Sequence, residues 1–140
     1  LIMILYIRGM KIILFFVLIA FLFFTCGKRV SKTNTEYVGQ WREVPSVTCV
    51  SSIIINENDN AEYTYTGIEE CHDRVKGKAR LTKNALMIGS RKFKFIEQAI
   101  QIPDYVVGMD TFNMRMQLEI PHWLQNSGET FTFYKKKKLI

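Results

Sequence analysis

Two hydrophobic patterns divide the chain. From Ile12 the residues are apolar without a break until Thr25. From Tyr37 onward, apolar positions recur at every second residue instead. The longest such run is Phe112-Asn113-Met114-Arg115-Met116-Gln117-Leu118-Glu119-Ile120, which alternates throughout. Val75, Gly77, Ala79 and Leu81 alternate with Lys76, Lys78, Arg80 and Thr82, and Phe93 and Phe95 alternate with Lys92 and Lys94. Phe131 and Phe133 do the same with Thr130 and Thr132, as do Tyr63 and Tyr65 with Glu62, Thr64 and Thr66. Neighbouring side chains of a strand point to opposite faces, so this pattern predicts strands with one face in a core and one in water.

Turn-forming residues separate these segments at Asn56–Asn60, Lys83-Asn84, Gly89-Ser90, Pro103-Asp104, Gly108–Asp110 and Asn126–Gly128. Between Val75 and Glu97 the connections are short enough only for antiparallel hairpins. Pro121–Gln125 alone suits a short helical turn. The expected fold is all-β, an antiparallel meander of about eight to ten short strands over residues 37–140, closed as a small barrel or folded as a β-sandwich. Closure removes the free sheet edges such a chain otherwise exposes.

The apolar run reads differently. At 1.5 Å per residue, Ile12–Thr25 reaches about 21 Å, short of the roughly 30 Å hydrocarbon core of a bilayer. Extending it through Leu1–Ile7 would bury Arg8 and Lys11 at about 2.5–3.5 kcal/mol each. A charged start at Met10-Lys11, an apolar stretch and a small-residue exit are the parts of a secretory signal. Residues 1–25 are therefore expected to be a signal peptide, with translation starting at Met10 or at a non-standard codon for Leu1.

Composition sharpens the division. Of the 140 residues 48% are apolar, but residues 1–26 hold 22 of them and the rest of the chain is 39% apolar, ordinary for a soluble domain. The net charge of +6 comes from Arg8, Lys11 and the run Lys135–Lys138; the body between balances 13 basic against 13 acidic groups. Nucleic-acid binding therefore has no support in the charge. The length suits one domain and excludes a multidomain enzyme or a polytopic transporter.

The exit of the signal, Leu22-Phe23-Phe24-Thr25-Cys26-Gly27-Lys28, resembles the lipobox of bacterial lipoproteins. Phe23, Phe24 and Thr25 depart from the family's usual small and branched residues. The resemblance implies that Cys26 is lipidated and becomes the mature N-terminus; otherwise Cys26 simply ends an ordinary signal region. It implies a cell-envelope location, inner or outer membrane, with the domain outside the cytoplasm. Residues 26–36 then form the lipidated N-terminus and a polar, flexible tether. Exported chains retain disulfides, and three cysteines are an odd number there. With Cys26 lipidated, Cys49 and Cys71 remain as one pair, whose closed loop would contribute about 3 kcal/mol. The alternative is two unpaired thiols in a core.

Gly39-Gln40-Trp41 opens the meander. A Gly-x-Trp on the first strand resembles the lipocalin and lipocalin-like barrels, in which the Trp closes one end and an Arg of the last strand packs over it. Here the last strand, Phe131–Lys138, offers Lys135 or Lys136 but no Arg, and the family's Thr-Asp-Tyr motif is absent. The inward rows of such a barrel would be Val75/Ala79/Leu81, Phe93/Phe95, Phe112/Met114/Met116/Leu118 and Phe131/Phe133. These aromatic and Met positions would line a small apolar ligand if the interior is hollow, or fill the core if it is not.

Candidate chemistry is sparse. Cys71-His72-Asp73 holds the residue types of a nucleophilic triad, but strand neighbours face opposite ways and cannot form the required chain of hydrogen bonds. Cys71 and His72 lack further ligands for a metal. His122 stands alone. Asn56–Asn60 is oxygen-rich without the spacing of a calcium loop. No enzyme, cofactor or metal is expected. Lys135–Lys138 either discourages edge pairing or touches anionic headgroups, where each lysine contributes about 1 kcal/mol. The function expected is a non-enzymatic envelope module binding a small apolar ligand or lipid. The alternative is a protein-interaction module, such as an assembly factor or an inhibitor of a foreign enzyme. A filled interior with an exposed apolar patch, as around Trp123-Leu124, would favour the alternative.

Overall fold

The computed structural model describes residues 2–24, 28–30, 34–44, 48–68, 70–120 and 128–138. Helix α1 covers Ile2–Phe24, and its described side chains are largely exposed. Among the described residues no helix is long and apolar enough to cross a membrane. Among the described residues nine strands follow: β1 (Lys28–Arg29), β2 (Gly39–Glu43), β3 (Cys49–Ile55), β4 (Asn60–Gly67), β5 (His72–Leu81), β6 (Ala85–Ile88), β7 (Arg91–Val107), β8 (Asp110–Ile120) and β9 (Glu129–Lys136), with a 3₁₀ turn at Thr35–Tyr37 before β2. β2 to β9 form one antiparallel sheet, which β5–β6 pairing closes on itself. The result is an eight-stranded barrel, the meander expected from the alternation, and not a sandwich.

The inward rows supply the core. Trp41, Ile53, Ile55, Tyr63, Ala79, Leu86, Ile88, Phe93, Met116, Leu118 and Phe133 are all but fully covered. Val75, Phe95 and Met114 pack against this cluster while partly exposed. The outward positions Lys76, Lys78, Arg80, Lys92 and Lys94 are exposed, as the period of two requires.

The seam is a short ladder, equalled in the barrel only by that of β2 and β9. β5 meets β6 only through Ala79↔Ile88, Arg80↔Met87 and Leu81↔Leu86, continued by Gly89 N–H donating to the Lys78 carbonyl at 3.1 Å. Here Gly77 passes so near the β6–β7 turn that a Cβ on it would sit 2.5 Å from the Gly89 Cα. Only glycine allows that approach.

Three expectations are corrected. Pro103-Asp104 does not turn the chain. β7 runs through it, and the β7–β8 register shifts between Gln101 and Tyr105, the sort of irregularity where a residue without an N–H is tolerated. Phe112 leaves the inward row, because the β8–β9 register shifts between Phe112 and Met114. It packs instead with Tyr105 and Tyr134, ring centres 6.4 and 6.3 Å away, under the Arg42 guanidinium at 5.6 Å. The polar segment before β2 is not wholly a free tether either: Lys28 and Arg29 pair with Leu81 and Arg80, and Val30 is fully buried in the core. One apolar side chain in a basic stretch found a place at the barrel end. The expected turn at Pro121–Gln125, with His122, Trp123 and Leu124, lies outside the described residues, as does Cys26.

Candidate functional site

Gly39 and Trp41 stand at the end of the barrel where β2 begins. Trp41 is completely covered, and its indole N–H donates to the Tyr37 carbonyl at 2.9 Å. The 3₁₀ turn sets Tyr37 across this end, where its hydroxyl accepts the Ala99 N–H at 3.1 Å and its ring lies 5.8 Å from that of Phe95. Lys135 of β9 places its ammonium 5.9 Å from the Trp41 ring centre and donates to the Glu36 carbonyl at 2.7 Å. Of the two lysines weighed for this position, Lys135 occupies it. Lys136 turns instead to Asp110, 2.7 Å away. The glycine has a reason of its own: its φ is +137°, and a Cβ there would lie 2.9 Å from the Lys135 Cε. Gly39 therefore leaves room for the cation above the Trp.

The opposite end carries the disulfide. Cys49 and Cys71 are bonded, with Cα atoms 5.6 Å apart and 22 residues of sequence separation, a normal span for the bond. It ties the start of β3 to the start of β5 beside the end of β4. The thiol of Cys71 is thus consumed, His72 is exposed, and Asp73 pairs with Arg91 at 2.5 Å; the three neighbours make no common site. The Asp73–Arg91 pair bridges the seam where the β5–β6 ladder has run out.

Other polar groups collect at the same end. The Ser51 N–H donates to Glu43 at 3.4 Å, and the Ser51 hydroxyl lies 3.4 Å from that of Tyr63. Burial pushes the Tyr63 hydroxyl up to about 12, with the Ser51 contact acting against it. Burial, then the carboxylate of Glu129, hold Glu43 above the usual carboxylate range, opposed by the Ser51 bond. Burial likewise raises Tyr65, with Glu129 and Glu43 adding to it. Sequence reasoning missed this cluster, although a signal was present. Asp73 continues the Val75/Gly77 row and Arg91 continues the Phe93/Phe95 row, so both are charges at inward positions.

The proposed lining positions separate into three groups. Phe93, Met116 and Phe133 are completely covered and Phe131 nearly so, so no water-sized void touches the first three. Phe95 and Met114 are half-buried near the Trp41 end, and Phe112 lies in the outer aromatic group. Asn56–Asn60 forms the β3–β4 turn, closed by Asn56 N–H to the Asn60 carbonyl at 2.8 Å and Asp59 N–H to the Asn56 carbonyl at 3.0 Å. Among the described residues no group of three or more His, Cys, Asp or Glu side chains is placed to hold a metal ion.

Outside the core, the β7–β8 hairpin presents apolar side chains. Its two-residue tip is Gly108-Met109; Met109 is 100% exposed and Val106 64%. Tyr105, Phe112 and Tyr134 stack behind the tip, and Asp110 bonds Arg42 at 3.1 Å and Lys136 at 2.7 Å. These contacts brace the hairpin. Comparison with protein-family models, curated proteins and solved structures found no match, so the chain's own geometry carries its functional reading.

Proposed function

We propose that this protein is a non-enzymatic, lipocalin-like module of a bacterial cell envelope, anchored through lipid on Cys26, that engages another envelope protein through its outer surface. The observation that carries this reading is the braced hairpin with Val106 and Met109 exposed at its tip. Exposed apolar side chains held on a stiff support are what an interface core requires, since little conformational freedom is lost on docking. The strand edge itself is blunted: β7 contains Pro103 and three register shifts, features that discourage strand addition. A partner therefore meets side chains rather than backbone. Binding of a small apolar ligand inside the barrel is the weaker reading, because the covered surfaces of Phe93, Met116 and Phe133 leave it no space beside them.

A photo-crosslinking residue at position 109, in cells that natively express the protein, tests this. The expected result is one discrete protein adduct, lost in Val106→Asp and not formed from position 92, which is exposed elsewhere. Adducts with lipid alone, or equal yields from both positions, would overturn it. Metabolic labelling with palmitate tests the anchor separately: label should disappear in Cys26→Ala.

A further inference from the structure

β2 and β9 run together only from Trp41↔Lys135 to Glu43↔Phe133. Beyond Lys135, β9 stays with β8, pairing Lys136 with Phe112 and donating the Lys137 N–H to the Thr111 carbonyl at 2.7 Å. Gly39 and Gln40 stay with β3. The two strands therefore splay, and a cleft of about 990 Å³ opens between them, at the upper end of the range of small-molecule sites. Val38 and Met114 give it an apolar lining, and Lys135 to Lys138 border it with four ammonium groups on aliphatic stems.

Three of those lysines have carboxylate partners. Lys136 pairs with Asp110 at 2.7 Å, Lys137 with Asp104 at 2.8 Å and Lys138 with Glu57 at 3.9 Å. Lys135 has none among the described residues; its ammonium meets the Glu36 carbonyl and the Trp41 face. It is also the most buried of the four. Burial, then Lys138, hold its pKa below the usual lysine range, with Glu36 acting the other way. A half-buried cation with no carboxylate at ion-pair distance among the described residues, beside an amphipathic cleft, complements an anion attached to an apolar body. Lysine ammonium groups act as point charges suited to phosphate oxygens.

We propose that this cleft binds a phosphate-bearing amphiphile, its phosphate against Lys135 and its apolar part against Met114 and Val38. A phospholipid and a soluble phosphate compound share this chemistry. Thr35, which lines the cleft, follows Cys26 by nine residues, a stretch of chain no longer than about 32 Å when fully extended. A lipid on Cys26 would therefore keep the cleft within reach of headgroups, a step that rests on the anchor proposed above. The site is separate from the hairpin tip and stands or falls independently of it.

The test uses the full chain in dodecyl maltoside micelles, which carry no phosphate, with and without added phosphatidylglycerol, and follows the indole N–H resonance of Trp41 by NMR. Phosphatidylglycerol should shift this resonance in a saturable way, and the shift should be lost in Lys135→Met. Because Lys135→Met also alters packing on Trp41, the exposed pair Lys137→Gln/Lys138→Gln provides a second variant. It should weaken the response at least threefold while leaving the resonance of the undoped sample in place. Inorganic phosphate added to the micelles without phosphatidylglycerol separates the sources: an equal saturable response assigns the site to soluble phosphate compounds, and none assigns it to lipid. No response to either anion, or a response that both variants leave unchanged, overturns the proposal.

Discussion

At the end of the barrel where β2 begins, Val30, Tyr37 and Trp41 are buried, and a cation lies over the indole ring. At the opposite end the sealing groups are Ser51 and Tyr63, the half-buried Glu43, the Asp73–Arg91 pair and the Cys49–Cys71 bond. The first end is held by buried apolar area, because the chain before β2 folds back across it and supplies side chains. The second has no such cover among the described residues, so its strands are tied by a covalent bond and by polar contacts. A small barrel thus needs no uniform core. Where connecting segments can be laid over an end, dispersion and the hydrophobic effect suffice; elsewhere, cross-links replace them.

The comparison breaks most visibly at Trp41. Trp41→Ala removes the largest side chain of the packed end and should cost about 3–5 kcal/mol in urea unfolding, whether or not the disulfide is reduced. Removing the cross-link by Cys49→Ala/Cys71→Ala should cost less, about 3 kcal/mol. Its effect should concentrate in hydrogen exchange at the starts of β3 and β5, leaving the Trp41 indole N–H protected. If both changes loosened both ends alike, the two ends would not be independent.

The finest test concerns pH. The carboxyl of Glu43 lies above the ordinary 4.5 in the folded protein, so the folded state binds more protons than the unfolded one. Its contribution is therefore complete below about pH 4.5 and is lost as pH rises through the raised value. Glu43→Gln should be more stable than the parent at pH 7 by an amount of the order of 0.5 kcal/mol, the scale of mild substitutions. The gain should vanish at pH 4. Thermal melts across this range would show it, and a gain that grew on acidification would reverse the assigned sign.

Much of the fold was legible because strand alternation is a local property. Tyr63, Ala79, Phe93, Met116, Leu118 and Phe133 are inward for the reason their spacing indicates, and the Gly89-Ser90 hairpin falls where its loop was read. Phe112 shows the limit. It belongs to an unbroken alternation and is buried, at 1% exposure, yet a one-residue shift against β9 set it among Tyr105, Tyr134 and Arg42 and apart from the main core cluster, and nothing within nine residues of sequence records what the neighbouring strand will do. Pro103 shows the same limit from the other side: a strong turn signal was absorbed by a bulge in a strand with one unpaired edge. Of the candidate site, Gly39, Trp41 and a lysine of β9 were readable from motif and position, but the choice of Lys135 over Lys136 was not.

By itself, then, the sequence determined that the part from Tyr37 onward is antiparallel β, which faces of its strands are apolar, and that an uninterrupted apolar run precedes it. These follow from side-chain periodicity and from the length of an uncharged run, both set by nearest neighbours. Only the tertiary structure decided that β5 and β6 close the sheet, that Val30 and Tyr37 cover one end, and that Lys135 faces a cleft with no carboxylate in ion-pair range among the described residues. Each of these depends on which distant segments meet, and pairing is chosen by the total burial and hydrogen bonding of the whole sheet rather than by any segment alone.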